Sequence, residues 1–513
     1  MSNVFLSEAH GFVCASVGIA TATFFCVAIF NLFFHPLAYI PGPTAAAIAD
    51  FWLLWQLFSL RKCESLHECL LKYGSVVRVG PNKLVVSGQD DIKTIYGPGS
   101  KCLKSSFYPA WNLNGASNIF SNVDPKDHSF RRSLTARTFS KQTTMRFMPQ
   151  LIKHARELAD RLEILSKGTE HGHSNTVEFI KLARYLALDM LGTSVLDEEF
   201  GLLKKGINHP FVDDLDAASL VIPARATLPT WVWFVVKRLP IPRLQHLLGG
   251  EGRLAKYAAK TIERYNSKSD GGENKSLSLV SCYSNYRDHE GNRLSTDHFI
   301  GEISAAYFAG TDTISVSLSF AVYEIASRAD VQERLRTELV EKAGSGGRLT
   351  YEVLEKDCAY LSAVISEVLR LYAALPSHLE RVVPPGGMTL STGHHIPAGT
   401  VVGTQPFSLH RDATLFPDPS RFDPDRWLYA TPEMRKSLCP WGFGNRICMG
   451  MHLAYIEFRL ALAVLVGSFN LTLPPDYDHE VMCMKNFWFV FPQGGKVNVL
   501  VAKRSAGESV TIC

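Results

Sequence analysis

Residues 11–34 form a run of 24 residues without one charged side chain, and this run limits the fold more sharply than any other feature. A helix rises 1.5 Å per residue, so the run exceeds the roughly 20 residues needed to cross a hydrocarbon core of about 30 Å. A cleaved signal peptide is the competing reading. It favours a basic start and a shorter apolar stretch, whereas residues 1–10 carry Glu8 and neither Lys nor Arg. The run is therefore expected to be a single-pass membrane anchor behind a short tail at 1–10. Arg61 and Lys62 are the first basic residues after it, which puts the body on the cytosolic side. Pro36, Pro41, Gly42 and Pro43 mark residues 35–50 as a stiff elbow, since proline cannot continue a helix. Residues 51–60 are apolar but too short to span. Packing into the body is favoured for them over lying on the membrane.

The rest of the chain is ordinary enough to fold around a large core. Of 513 residues, 46% are hydrophobic and 20% charged, with 53 basic against 49 acidic side chains. A net charge of +4 on so large a body argues against a nucleic-acid binder driven by phosphate contacts. It leaves room for a local basic patch facing an acidic partner. The 11 cysteines are scattered and no CxxC pair occurs, which removes the common zinc and redox spacings. They read as thiols in a reducing compartment.

The fold class expected is mostly α with a smaller β region. Residues 76–79 and 84–86 read as an antiparallel hairpin across Gly80-Pro81-Asn82. Helical periodicity dominates from 126 to about 200, and 267–278 is a polar Gly/Ser-rich loop. A long helix is expected over 296–328, capped by Ser295 or Thr296. Further helices cover about 331–343 and 359–373. Strand-like pieces occupy 388–405, and a last helix starts near Gly450 ahead of a β-rich end. No linker follows the elbow, so 51–503 is read as one catalytic domain with a tail at 504–513.

Ten residues carry the most chemistry: Trp441-Gly442-Phe443-Gly444-Asn445-Arg446-Ile447-Cys448-Met449-Gly450. Gly442 and Gly444 permit a tight backbone turn that aims N–H groups at the sulfur. The helix start beyond Cys448 favours a thiolate, and Arg446 is placed to meet an anionic group. The bland alternative is a buried structural cysteine in a Gly-rich turn. A second cluster, Ala309-Gly310-Thr311-Asp312-Thr313, interrupts the long apolar helix. Glycine there costs about 1 kcal/mol relative to alanine, and Asp and Thr compete with the helix's own hydrogen bonds. Such a segment is either a harmless kink with a back-bonded threonine or a functional site. Glu367 and Arg370 share one helix face, with Phe422-Asp423-Pro424-Asp425-Arg426-Trp427 downstream. His128 and Arg132 lie four apart in a basic helix, where a solvated face is the default reading.

Taken in order, these motifs resemble the cytochrome P450 family, from the anchor to about residue 491. The cysteine loop is similar to the family's haem-binding signature, with Trp441 where phenylalanine is usual. The resemblance implies the cytochrome P450 fold, an α-helical haem domain with a β-rich lobe, holding haem b (iron protoporphyrin IX). Cys448 would be the axial iron ligand, with Trp441, Gly442 and Gly444 shaping its loop. Arg446, Arg132, His128 and Arg381 would meet the haem propionates, His128 standing where tryptophan is frequent. Gly310 would leave room for dioxygen, Thr313 would hydrogen-bond it or a water, and Asp312 would relay protons. Glu367, Arg370 and Arg426 would form a buried structural trio. Arg131, Arg137 and Lys141 would add a basic surface for a reductase, or a merely solvated face.

The elbow sequence is most like that of microsomal members from filamentous fungi. That implies an endoplasmic reticulum membrane protein fed from NADPH by NADPH–cytochrome P450 reductase, with cytochrome b5 a second candidate partner. The substrate implied is a small apolar secondary metabolite such as a terpenoid, polyketide or alkaloid. Its contacts would come from 105–122, 206–248, 375–380 and 484–488, with the helix face of Ala305, Ala306 and Ala309. Monooxygenation is the leading reaction implied, served by a separate reductase, since no flavin or nicotinamide fingerprint is present in the chain itself. A desaturase or oxidative coupling enzyme is the alternative, and a non-catalytic haem sensor or sterol carrier the third. His171-Gly172-His173 and His394-His395 lack partners for a metal, and Asn274 and Asn470 fit glycosylation patterns a cytosolic body would not use.

Overall fold

A computed structural model of the chain describes residues 2–167, 176–206, 209–268, 277–287, 291–505 and 510–513. The chain divides into two compact units, Met1–Ser105 with His378–Ser408, and Ser106–Ser377 with Leu409–Cys513.

In the first unit the apolar run is a helix, Ser2–Ile29, that loosens into a π turn at Phe30–Phe34. Asn31 ends that helix in a fixed place. Its amide donates to Ile48 O (3.1 Å), while its own carbonyl accepts from Arg78 Nη1 (2.8 Å). Arg78 N in turn donates to Pro41 O (2.8 Å). Gly42 is required there, because a Cβ would sit 2.1 Å from Arg78 O. The hairpin pairs as expected, Val76–Gly80 against Lys83–Val86, with a bulge between Arg78 and Gly80. It forms one side of a five-stranded sheet completed by Val401–Gly403, Arg381–Val382 and Leu103–Lys104. The apolar stretch after the elbow is the helix Phe51–Phe58. Leu53 and Leu57 are buried, Leu53 joining a small core with Leu66, Cys69, Val77 and Val85, as the packing reading requires. Phe51 and Trp55 are each 71% exposed, so the other face stays open. His394 stacks on Tyr39, and Tyr39 donates to His395 O. This pair closes a loop and needs no metal.

The second unit is helical around one large core. Helix Phe179–Leu191 is buried on nearly every side and packs along helix Thr296–Ser327. Helices Gly250–Lys268, Ala359–Leu371 and Met451–Ser468 pack against the same long helix. Ser295 caps it, its Oγ accepting from His298 N. Met451–Ser468 is apolar enough to cross a membrane, but most of it lies in the core. A three-stranded sheet orders Phe469–Thr472, Asn498–Lys503 and Thr176–Glu178. The last of these strands falls inside the stretch expected to be helical. It forms because the distant strand 498–503 supplies its ladder. His171, His173 and Asn274 lie outside the described residues.

Candidate active site

The cysteine loop is a closed turn. Gly442 (φ +77°) and Gly444 (φ +56°) both occupy the left-handed region that favours glycine. Cys448 N donates to Trp441 O (2.9 Å), and a 3-10 turn spans Gly444–Arg446. The N–H groups of Gly450 and Met451, at the start of the next helix, point at the Cys448 sulfur. Burial pushes its thiol up, while those two N–H groups and the Arg132 guanidinium pull the other way. The residue is nevertheless reachable from its surface. Trp441 fits its place by donating from Nε1 to Tyr455 Oη (3.1 Å), ring against ring at 5.2 Å.

Within the second unit, two arginines lie at this loop. Arg132, on helix Pro125–Thr135 capped by Asp124, donates to Ile447 O (2.7 Å). His128 is buried one turn earlier, and Arg446 donates to Asn122 O (2.8 Å). Arg381 lies in the first unit, buried beneath strand Arg381–Val382, its guanidinium over the Tyr96 ring at 5.0 Å. Arg131 does not add to a basic surface. It is buried and paired with Glu302 and Asp127, both at 2.9 Å. Lys141 is paired with Glu355, and Arg137 is exposed.

On the long helix, Tyr307, Phe308, Thr311 and Asp312 are buried. Ala305, Ala306, Ala309, Gly310 and Thr313 are partly or fully open, a strip of small residues along one face. Thr313 Oγ1 donates to Ala309 O (2.6 Å), the back-bonded arrangement. Gly310 has a packing reason of its own, since a Cβ would lie 2.7 Å from Leu191 Cδ1. Asp312 is turned to its neighbours. Ser219 Oγ donates to Oδ2 (2.7 Å), and Arg184 Nε lies 3.2 Å from Oδ1 while also pairing with Asp216. No sequence pattern marked Arg184, Ser219 or Asp216.

The structural trio is complete. Glu367 and Arg370 are both 0% exposed and form a two-pronged pair at 2.7 and 2.8 Å. Arg370 donates further to the carbonyls of His410, Pro419 and Arg421. Glu367 also accepts from Asp423 N, Arg426 Nε and Trp427 Nε1. Glu367 and Arg370 are thus fully partnered, the condition under which a buried ion pair is tolerated, while Arg426 Nη2 lies 3.7 Å from Asp423 Oδ2 without a hydrogen bond among the described residues. His410 was not foreseen. Its Nδ1 donates to Arg370 O and its Nε2 accepts from Cys439 N, both at 2.9 Å, bracing the cysteine-loop segment against the trio.

Burial, with Arg411 nearby, holds the His410 imidazole down to about 3. The unfolded chain therefore takes up the extra proton between about pH 6.5 and 3, and stability falls as pH drops through that window. Between pH 7 and 5 the expected loss from this residue is about 2 kcal/mol. Urea midpoints of the wild type and His410→Gln at the two pH values check it. Parallel losses in both proteins would remove the assignment.

His154, Glu157 and Asp189 bring three ligand atoms within 4.8 Å, but each is already used. Asp189 accepts from Leu202 N and Leu203 N, and His154 bonds Glu157 and Thr193. The chemistry of the donor set at the cysteine loop is different. A sulfur in a nest of N–H groups, with Arg132 and Arg446 beside it, fits an iron porphyrin with anionic side groups.

Comparison with known proteins gives the family. Residues 47–497 match the model of the cytochrome P450 family. The cytochrome P450 monooxygenase tazI of Aspergillus terreus is 30% identical, over 91% of this chain and 94% of its own. The monooxygenase stcB of Emericella nidulans is 31% identical, over 84% and 82%. A crystal structure of the cytochrome P450DA haem domain superposes with a TM-score of 0.72 at 20% identity, covering 92% of this chain and 99% of that one. The chain belongs to the cytochrome P450 family and is an oxidoreductase of its monooxygenase class.

Proposed function

We propose that this chain is a membrane-anchored haem-thiolate monooxygenase with Cys448 as the axial iron ligand. It inserts one oxygen atom from dioxygen into a small apolar secondary metabolite. Electrons come from NADPH through a separate reductase, with the body at 51–503 on the cytosolic face of the endoplasmic reticulum. The observation that carries this reading is the geometry of the Cys448 loop, where Gly442 and Gly444 turn the backbone, the N–H groups of Gly450 and Met451 point at an exposed sulfur, and Arg132 binds the adjoining Ile447 carbonyl. Haem, when bound, supplies the iron at which dioxygen is activated. Arg132, Arg446, His128 and Arg381 would hold its propionates, and Cys448 would supply its sulfur ligand.

The open strip Ala305–Ala309–Thr313 gives an apolar substrate a smooth wall free of competing donors. Thr313 Oγ1 keeps its proton on Ala309 O and so presents lone pairs to a water or ligand hydroxyl. Asp312, fed by Ser219 Oγ, passes protons toward that face. Turnover in reductase-containing microsomes with NADPH, labelled dioxygen and a fungal metabolite extract tests the reading by mass spectrometry. A product carrying one labelled oxygen supports it. Product without label would replace it with desaturation or coupling. Thr313→Ala is expected to lower product per NADPH several-fold and raise peroxide release. An unchanged ratio would remove Thr313 and Asp312 from proton delivery.

A further inference from the structure

Five aromatic side chains from distant parts of the second unit meet around one indole. Trp111 lies 5.5 Å from Phe120, 5.6 Å from Phe489, 5.8 Å from Trp488, 6.0 Å from Phe107 and 6.3 Å from Phe308. Most of these contacts are edge to face, the arrangement that aromatic quadrupoles prefer.

Two features depart from an ordinary packed core. Trp111 is 4% exposed, and its Nε1–H is buried with no acceptor among the described residues, although buried indole N–H groups nearly always have one. Trp488 sits at φ +77°, alone at the turn between strands that pair Phe487 with Phe489. A bulky residue is strained there, and such strain persists where a surrounding site demands it. Phe308 ties the cluster to the reacting face. It lies about 60° round the helix from Ala305 at 100° per residue, at the edge of the strip that carries Thr313.

We propose that this cluster selects a flat aromatic substrate carrying one hydrogen-bond acceptor, and that Trp111 Nε1–H donates to that acceptor. The proposal rests on the monooxygenase reading and narrows its substrate class. Ring edges packed against a flat π-face gain contacts that a puckered saturated ring cannot match. The unmatched donor discriminates as well, because a ligand without an acceptor leaves it buried and unpaired.

The test uses the haem-loaded full chain and three probes, 2-acetylnaphthalene, naphthalene and 2-acetyldecalin, with Kd read by calorimetry and by the Soret shift. 2-Acetylnaphthalene is expected to bind about tenfold tighter than either of the others, a difference of ~1.4 kcal/mol. Trp111→Phe keeps a ring and removes the donor, so it should abolish the advantage over naphthalene. Equal Kd values for the three probes in the wild type overturn the proposal whether or not the variant folds. So does an acetyl advantage that survives in a haem-loaded Trp111→Phe. A wild type lacking the carbon monoxide band of a thiolate-ligated haem sinks the monooxygenase reading instead, which keeps the two failures apart.

Discussion

Cys448→Ser is expected to lose the thiolate-haem absorption signature and to cut turnover by about a thousandfold or more, equivalent to at least ~4 kcal/mol of barrier. A serine hydroxyl does not ionise in the nest that Gly450 N–H, Met451 N–H and Arg132 form around the sulfur. The electron release of a thiolate is then missing even where porphyrin still binds. The carbon monoxide difference spectrum and the product-formation rate check this. A variant that keeps the wild-type band would move the ligand away from Cys448.

Glu367 comes second in expected effect. Removing its carboxylate leaves Arg370, fully buried, and Arg426, nearly so, without their shared anion. Breaking a buried pair in this way costs about 3–5 kcal/mol. Net stability of a folded protein is only about 5–15 kcal/mol, so Glu367→Ala should yield protein that aggregates or fails to retain haem. Glu367→Gln keeps the shape and loses the charge. It should recover less than half of the deficit in a urea titration monitored by circular dichroism. Near-wild-type stability in Glu367→Gln would mean that shape, and not charge, holds the 422–427 turn to its helix.

Much of this architecture was legible because its signals are local. The long helix was expected over 296–328 and runs Thr296–Ser327, since a capping serine and an unbroken apolar pattern mark its ends. The loop around Cys448 was legible for the same reason, because two glycines at fixed offsets dictate the turn. Glu367 binds both Arg370 and Arg426, residues the sequence had already singled out. What stayed hidden depends on partners far along the chain. Strand Thr176–Glu178 exists only because Asn498–Lys503 lies beside it. Arg131 looked like surface charge until Glu302, 171 residues away, was seen to bury it. Arg184 carries no local mark, yet it holds both Asp312 and Asp216. The helix Phe51–Phe58 divides its two expected readings between its faces, one packed and one open.

The contacts at the elbow bear on the proposed membrane anchoring. Asn31, Arg78, Pro41 and Gly42 lock the end of the apolar helix onto the first sheet. A free tether would let the attached unit swing through all orientations, and each productive encounter would have to be found by rotational search. Under the proposed anchoring, the apolar helix would work as a lever arm clamped at its root. A change in bilayer thickness that tilted the helix would then reach the sheet as torque, and the first unit would turn with it.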